Sequence, residues 1–180
     1  MSTWELIGET IRGELSDLPD VAAFVRVVFR LTMAALLGGV LGFERESKGK
    51  AAGMRTHMIV ALGAAIFVLV PQQAGADSAD LSRVLQGLVA GIGFLGAGSI
   101  LKGSSQEGVK GLTTAASIWL TAAIGMTAGM GREATAVVAT ALALGILALL
   151  PNSPQSTDAH SGDDGRRATT QPDNDDPTEP

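Results

Sequence analysis

Between Arg83 and Lys102 the chain runs eighteen residues, Val84 to Leu101, without a charge, and five of them are glycine. That length crosses the hydrocarbon core of a bilayer as a helix. That much glycine weakens a helix in water, but it is common where membrane helices approach backbone to backbone. The chain is therefore read with lipid as its solvent.

Four further segments have the same character. The first span runs from about residue 21 to 43 and carries Arg26 and Arg30 in its first half. Leu31 to Phe43 supplies only thirteen uncharged residues, too few to span at a rise of about 1.5 Å each. The helix must therefore include Arg30, which either snorkels or meets an acid inside the bundle. The other spans are expected at about 56–71, 84–101, 111–128 and 134–150. The expected fold is all-α, a bundle of five transmembrane helices occupying residues 21–150, with short connections that favour antiparallel neighbours.

The flanks differ from this middle. In residues 1–20, Trp4, Ile7, Ile11, Leu15 and Leu18 recur at steps of three or four, the pattern of an amphipathic helix. Pro19 ends it. This helix lies on the membrane interface with Trp4 as anchor, or packs on the bundle mouth. Five acids and one arginine in these twenty residues do not make a cleavable signal peptide. Residues 151–180 hold seven acids and no Ile, Leu, Val, Met or aromatic residue, so a disordered acidic tail is expected.

Lysine and arginine set the orientation. Arg45, Lys48, Lys50, Arg55, Lys102, Lys110, Arg166 and Arg167 fall on one side, and Arg12, Arg26, Arg30, Arg83 and Arg132 on or near the other. The richer side is cytoplasmic, which puts the N-terminus outside and the C-terminus inside. A net charge of −5 and 4% aromatics argue against a nucleic-acid partner. Without cysteine there is no thiolate metal site. No metal centre or cofactor is expected. No serine has an evident base, and His57 and His160 are far apart, so the chain reads as a non-enzyme.

Two motif matches fail on context. Gly91-Ile-Gly93-Phe-Leu-Gly96 fits G-x-G-x-x-G but lies inside a span, and residue 116 is alanine where an acid is needed. Gly103 to Lys110 opens like a phosphate loop but lacks the adjoining Lys and Ser/Thr.

Small-xxx-small spacing is repeated: Gly38 with Gly42, Gly87 with Gly91, Gly93 with Ala97, Gly125 with Gly129. With Gly96 and Gly98, these are candidate faces for close helix packing or for a partner. A sharper reading unwinds the third span at Gly93–Gly98 so that carbonyls face a cavity. The polar candidates are Glu44 and Arg45 at the end of the first span, with Arg55 and Thr56 at the start of the second. Glu44 lies close enough in this topology to pair with Arg55. Asp80, Arg83 and Gln86 sit near the outer end of the third span, and Thr113 and Thr114 join Ser117 and Thr121 on a hydroxylated face of the fourth. Ionisable groups in a membrane are functional candidates.

Together these residues resemble one family. Gly42-Phe-Glu44-Arg45-Glu46, then Lys50-x-x-Gly53-x-Arg55-Thr56-His57, then Gly91 to Gly98, then Val109-Lys-Gly111-Leu-Thr-Thr-Ala-Ala116 with Trp119, are similar in order and spacing to the MgtC/SapB family of bacterial membrane proteins. The resemblance covers about residues 26–150. It implies an inner-membrane protein linked to magnesium homeostasis and adaptation to low magnesium. The type protein is associated with restraint of the proton-driven ATP synthase. The resemblance also singles out Glu44, Arg45, Arg55, Thr56, Gly93, Gly96, Gly98, Thr113 and Thr114. Longer members carry an ACT-like domain after the last span. This sequence is closer to the short, membrane-only members. The expectation is a regulator of another integral membrane protein by helix–helix contact in the lipid bilayer. Homo-oligomers are compatible with the same faces. The alternative is a cation transporter or channel subunit, for Mg²⁺ or H⁺.

Overall fold

The computed structural model describes residues 2–14, 16, 20–101 and 111–150. These residues form six helices: α1 (Thr3–Glu14), α2 (Val21–Ser47), α3 (Met54–Gln73), α4 (Ser78–Leu101), α5 (Leu112–Gly129) and α6 (Glu133–Leu149). There is no strand among them. The phosphate-loop-like segment, Lys102, Lys110 and the acidic tail with His160, Arg166 and Arg167 lie outside the described residues.

Local chemistry sets the helix ends. Ser2 and Glu5 cap α1 reciprocally, each side chain accepting from the other's backbone N–H (3.3 and 2.7 Å). The Asp20 carboxylate accepts from Ala23 N–H at 2.5 Å and starts α2. Asp77 accepts from the N–H groups of both Ala79 and Asp80 at 2.8 Å and starts α4. At the other ends, α2, α3 and α5 stop in one way. Gly49, Gly75 and Gly131 take positive φ, and the next residue's N–H reaches back to Arg45, Pro71 and Thr127 carbonyls respectively. This is the Schellman arrangement, which satisfies carbonyls that a helix end leaves bare.

α2, α3, α4 and α5 are each long and apolar enough to cross a bilayer. At 17 residues, α6 is shorter, about 25 Å at the usual rise. The expected count of five spans thus meets four long helices and one shorter apolar one. α4 begins six residues before the uncharged run, because Asp77 caps it. The run marks only the part of the helix that avoids charge. α4 continues as helix through Gly93–Gly98, which favours the packing reading of these glycines over the unwound one. α3 likewise passes Pro71, which falls in its last turn.

α5 lies at the centre and touches α2, α3, α4 and α6. The core is built from small residues. Ala34, Leu37, Leu41, Ala61, Ala65, Ile124, Ala128, Ala136 and Ala143 form one cluster, and Ala64, Val68, Ile92, Ile118, Ala122 and Met126 a second. Glycine lets the backbones meet. A Cβ on Gly125 would come within 2.7 Å of Ala61 Cα, and one on Gly129 within 2.8 Å of Ala65 Cα. A Cβ on Gly38 or Gly42 would strike the His57 carbonyl (2.6 Å) or Met54 Cα (2.5 Å). Contact at this range lets dispersion replace the hydrophobic drive that lipid removes. α1 touches no other helix among the described residues, and Trp4, Ile7 and Ile11 on its apolar face are exposed. It does not pack on the bundle mouth.

Candidate functional site

Two features stand out: a buried polar cluster at one end of the bundle, and an uncovered glycine stripe on α4.

The cluster forms where the C-terminal end of α2 meets the N-terminal ends of α3 and α5. Arg45 is only 2% exposed. Its Nη1 lies 3.7 Å from Glu44 Oε2, and its Nε and Nη2 have no hydrogen-bond partner. Glu44 Oε1 lies 2.6 Å from Lys48 Nζ. Both are charge contacts rather than aligned hydrogen bonds, since neither Glu44 oxygen has a donor in hydrogen-bonding geometry. The Lys48 ammonium donates instead to the Leu147 carbonyl at 2.7 Å. That carbonyl belongs to the last turn of α6, where a cation is favoured. Glu44 therefore pairs with Arg45 and Lys48. The Glu44–Arg55 pair that the topology allows is not formed, and Arg55 and Thr56 are exposed. They point away because α3 turns its buried face to His57, Ala61, Ala64 and Ala65.

His57 is fully buried. Its Nδ1 lies 2.9 Å from the Gly53 carbonyl and its Nε2 3.3 Å from Ser117 Oγ. A carbonyl only accepts, so Nδ1 carries the proton. The Ser117 hydroxyl donates to the Thr114 carbonyl at 2.8 Å. Its single proton cannot also serve His57. Either the ring is neutral and the hydroxyl turns to Nε2, or Nε2 is protonated and donates to Ser117. Thr121 donates one turn further on, to the Ser117 carbonyl at 2.8 Å. Thr114, Ser117 and Thr121 are thus the buried part of the expected hydroxylated face, while Thr113 is exposed. Glu46 completes this end, accepting from Met54 N–H at 2.8 Å as the cap of α3. Gly53 makes room for it, since a Cβ there would lie 2.6 Å from Glu46 Oε2.

Sequence reasoning placed His57 and Ser117 among the polar groups without pairing them, and passed over Glu46 and Lys48 as site residues. His57 had no visible partner because Ser117 is sixty positions away. Its motif Gly53-x-Arg-Thr-His57 was the available signal.

The opposite end differs. Asp80 and Arg83 pair at 2.6 Å but are exposed, as is Gln86. Such a pair contributes about 1 kcal/mol at most. Arg30 meets an acid at this end of the bundle, its Nε 3.9 Å from Glu133 Oε1 with both side chains partly exposed, and its Nη1 donates to the Gly129 carbonyl (3.2 Å) and Gln72 Oε1 (3.4 Å).

The glycines divide into two sets. Gly38, Gly42, Gly125 and Gly129 are buried against α3. They serve as close-packing faces within the bundle, and not as faces open to an outside partner. Gly96 packs on α5, where a Cβ would rest 3.6 Å from Ala115 Cβ. Among the described residues, nothing lies within 4 Å of a Cβ on Gly87, Gly91, Gly93 or Gly98. At 100° per residue, Gly87, Gly91, Phe94 and Gly98 form one stripe. It lies opposite Ile92 and Gly96, which face α5. Phe94 on it is 81% exposed.

With this geometry in hand, relatives are informative. Protein SrpB of Synechococcus elongatus is 52% identical over 114 residues, 57% of this chain and 63% of that one. The putative magnesium transporter YhiD of Escherichia coli K12 is 40% identical over 127 residues, 67% of this chain and 58% of that one. Protein MgtC of Brucella abortus is 47% identical over 122 residues, 67% of this chain and 49% of that one. The chain therefore spans about half to three-fifths of the relatives it matches. No solved structure matches. The family model described as the MgtC family matches residues 31–155, which takes in the polar cluster and the α4 stripe together, and the chain belongs to that family.

Proposed function

We propose that the chain is a non-enzymatic inner-membrane protein of magnesium homeostasis that regulates another membrane protein through the open face of α4. The observation that carries this reading is the uncovered stripe Gly87–Gly91–Phe94–Gly98. Glycine disfavours a helix by about 0.8–1 kcal/mol per residue relative to alanine. Lipid tails need no such close approach. Among the described residues only Gly96 of the five meets another helix, and a helix from outside the chain would account for the rest. The link to magnesium comes from the family and from the Escherichia coli relative, the putative magnesium transporter YhiD. The resemblance makes the membrane sector of the ATP synthase the first partner to test. In this reading α6 is the fifth crossing, the N-terminus is outside and the C-terminus cytoplasmic.

The test is photocrosslinking from residue 94 in native membranes, with growth in low magnesium as the functional readout. Gly91→Leu should abolish both the crosslinked product and complementation while the protein still accumulates. If the partner is still captured by the Gly91→Leu variant, the α4 assignment is wrong. A crosslink to a second copy of the chain would make the stripe a homo-oligomer interface instead.

A second reading, proton movement, is favoured by one arrangement: with a neutral His57 ring, the single Ser117 proton faces two acceptors, Nε2 and the Thr114 carbonyl. A Mg²⁺ path at Glu44 is less compatible, because Arg45 and Lys48 already occupy that carboxylate. Proteoliposomes report on both ions. Proton flux abolished by Ser117→Ala would support the second reading, and equal flux in both proteins would remove it.

A further inference from the structure

Away from the Glu44–His57 cluster, α2 and α3 leave a cleft of about 280 Å³ whose lining includes Arg26, Arg30, Gln72 and Gln73 beside Val27 and Leu69. Arg26 and Arg30 are one turn apart on α2 and so share a face. Arg30 is held in place. The Gly129 carbonyl and Gln72 accept from it, and Gly131 leaves it room, since a Cβ there would collide with the guanidinium. Arg26 is exposed and makes no ion pair among the described residues. Because Gln72 Oε1 faces Arg30, its amide N–H groups remain to donate. One fixed cation, one free cation and an amide donor thus line one cleft.

We propose that this cleft binds the phosphate of an anionic phospholipid. Three observations select that ligand over a free anion. Glu133, 3.9 Å from Arg30, offsets one of the two positive charges, which suits a singly charged phosphodiester. Phe29 of α2 lies deeper than Arg26, Ile66 and Val70 of α3 lie deeper than Gln72 and Gln73, and all three are exposed, an apolar surface for acyl chains below the headgroup level. The depth also fits. α2 has 27 residues, about 40 Å, against a hydrocarbon core of about 30 Å. Arg26, five residues from its start, lies about 8 Å along the axis, near the boundary where headgroups begin. Basic pockets between membrane helices hold lipid headgroups by this chemistry.

The test is native mass spectrometry of the full chain released from vesicles of phosphatidylglycerol or phosphatidylcholine, with and without inorganic phosphate. The parent protein should retain phosphatidylglycerol adducts over phosphatidylcholine. Arg26→Gln should reduce them roughly fivefold, the effect of one basic residue at an anionic surface, and Arg26→Lys should restore most of the retention. Arg26 ties no helices together, so both variants should fold, and a melting curve checks this. Equal retention of the two lipids, or unchanged retention in Arg26→Gln, overturns the proposal. Displacement of the adduct by millimolar inorganic phosphate also overturns it, by identifying a free-anion site.

Discussion

The glycines of α5 and those of α4 look alike in sequence and do opposite things. Gly125 and Gly129 are four residues apart, as are Gly87 and Gly91. The first pair is pressed onto the backbone of α3 at Ala61 and Ala65, while the second pair meets nothing. In water a bundle hides its apolar side, so pattern reveals orientation. In lipid, tails and core are equally apolar, and the same spacing serves an inner seam and an outer one. What separates them here is polarity. α5 carries Thr114, Ser117 and Thr121 on its buried side, and between Val84 and Leu101 α4 has only Gln86 and Ser99 as polar side chains.

The sharpest way to break this contrast is one substitution on each helix. Gly125→Leu drives a side chain into the backbone of Ala61, which cannot yield without parting α3 from α5. Overpacking of a tight core costs about 1–3 kcal/mol, occasionally more, and this case belongs at the upper end. No folded protein should be recovered in detergent, as judged by size-exclusion chromatography and helical circular dichroism. Gly91→Leu should give a protein that elutes and unfolds like the parent. If both variants behave alike, α4 is covered within the chain and the contrast fails.

The polar cluster should show a similar asymmetry. Glu44→Leu leaves Arg45 charged, 2% exposed and without an acid. Breaking a buried pair from one side costs about 3–5 kcal/mol. Arg45→Met leaves Glu44 still beside Lys48, so its cost should be smaller. Unfolding in a dodecyl sulfate titration ranks the two. A reversed order would mean that Lys48, not Arg45, is the dispensable partner.

Gly131→Ala comes next. Its φ is +77°, a conformation that costs a residue with a Cβ about 1–2 kcal/mol, and the added carbon would also displace the Arg30 guanidinium. A loss of about that size is expected in the same titration. A neutral result would show that the α5–α6 connection relaxes freely.

The all-helical architecture was legible because uncharged length is a property of sequence alone. Helix starts were not, since Asp77 carries α4 six residues into a charged stretch. Arg45 and Arg55 also read alike: both are basic and both flank the same short connection. Arg45 is buried because it shares a face of α2 with Gly38, Leu41 and Gly42, whereas Arg55 falls off the inner face of α3. His57 was legible only as a motif letter, because its partner Ser117 comes from a distant helix. Long-range pairing of this kind leaves no local trace.

The smallest effect is the most discriminating. Gly91→Ala adds one methyl where nothing lies within 4 Å, so the isolated chain loses no contact. Alanine is the better helix former by about 0.8–1 kcal/mol, and a membrane host, whose helices are already hydrogen-bonded before they pack, should show part of that gain. The expected outcome is a slightly higher unfolding midpoint in detergent together with weaker capture of the partner in native membranes. Gain in one measurement and loss in the other is the signature of a residue kept for something outside the chain. If Gly91→Ala lowers the midpoint, the stripe has a neighbour within this protein, and the glycines of α4 and α5 do the same work.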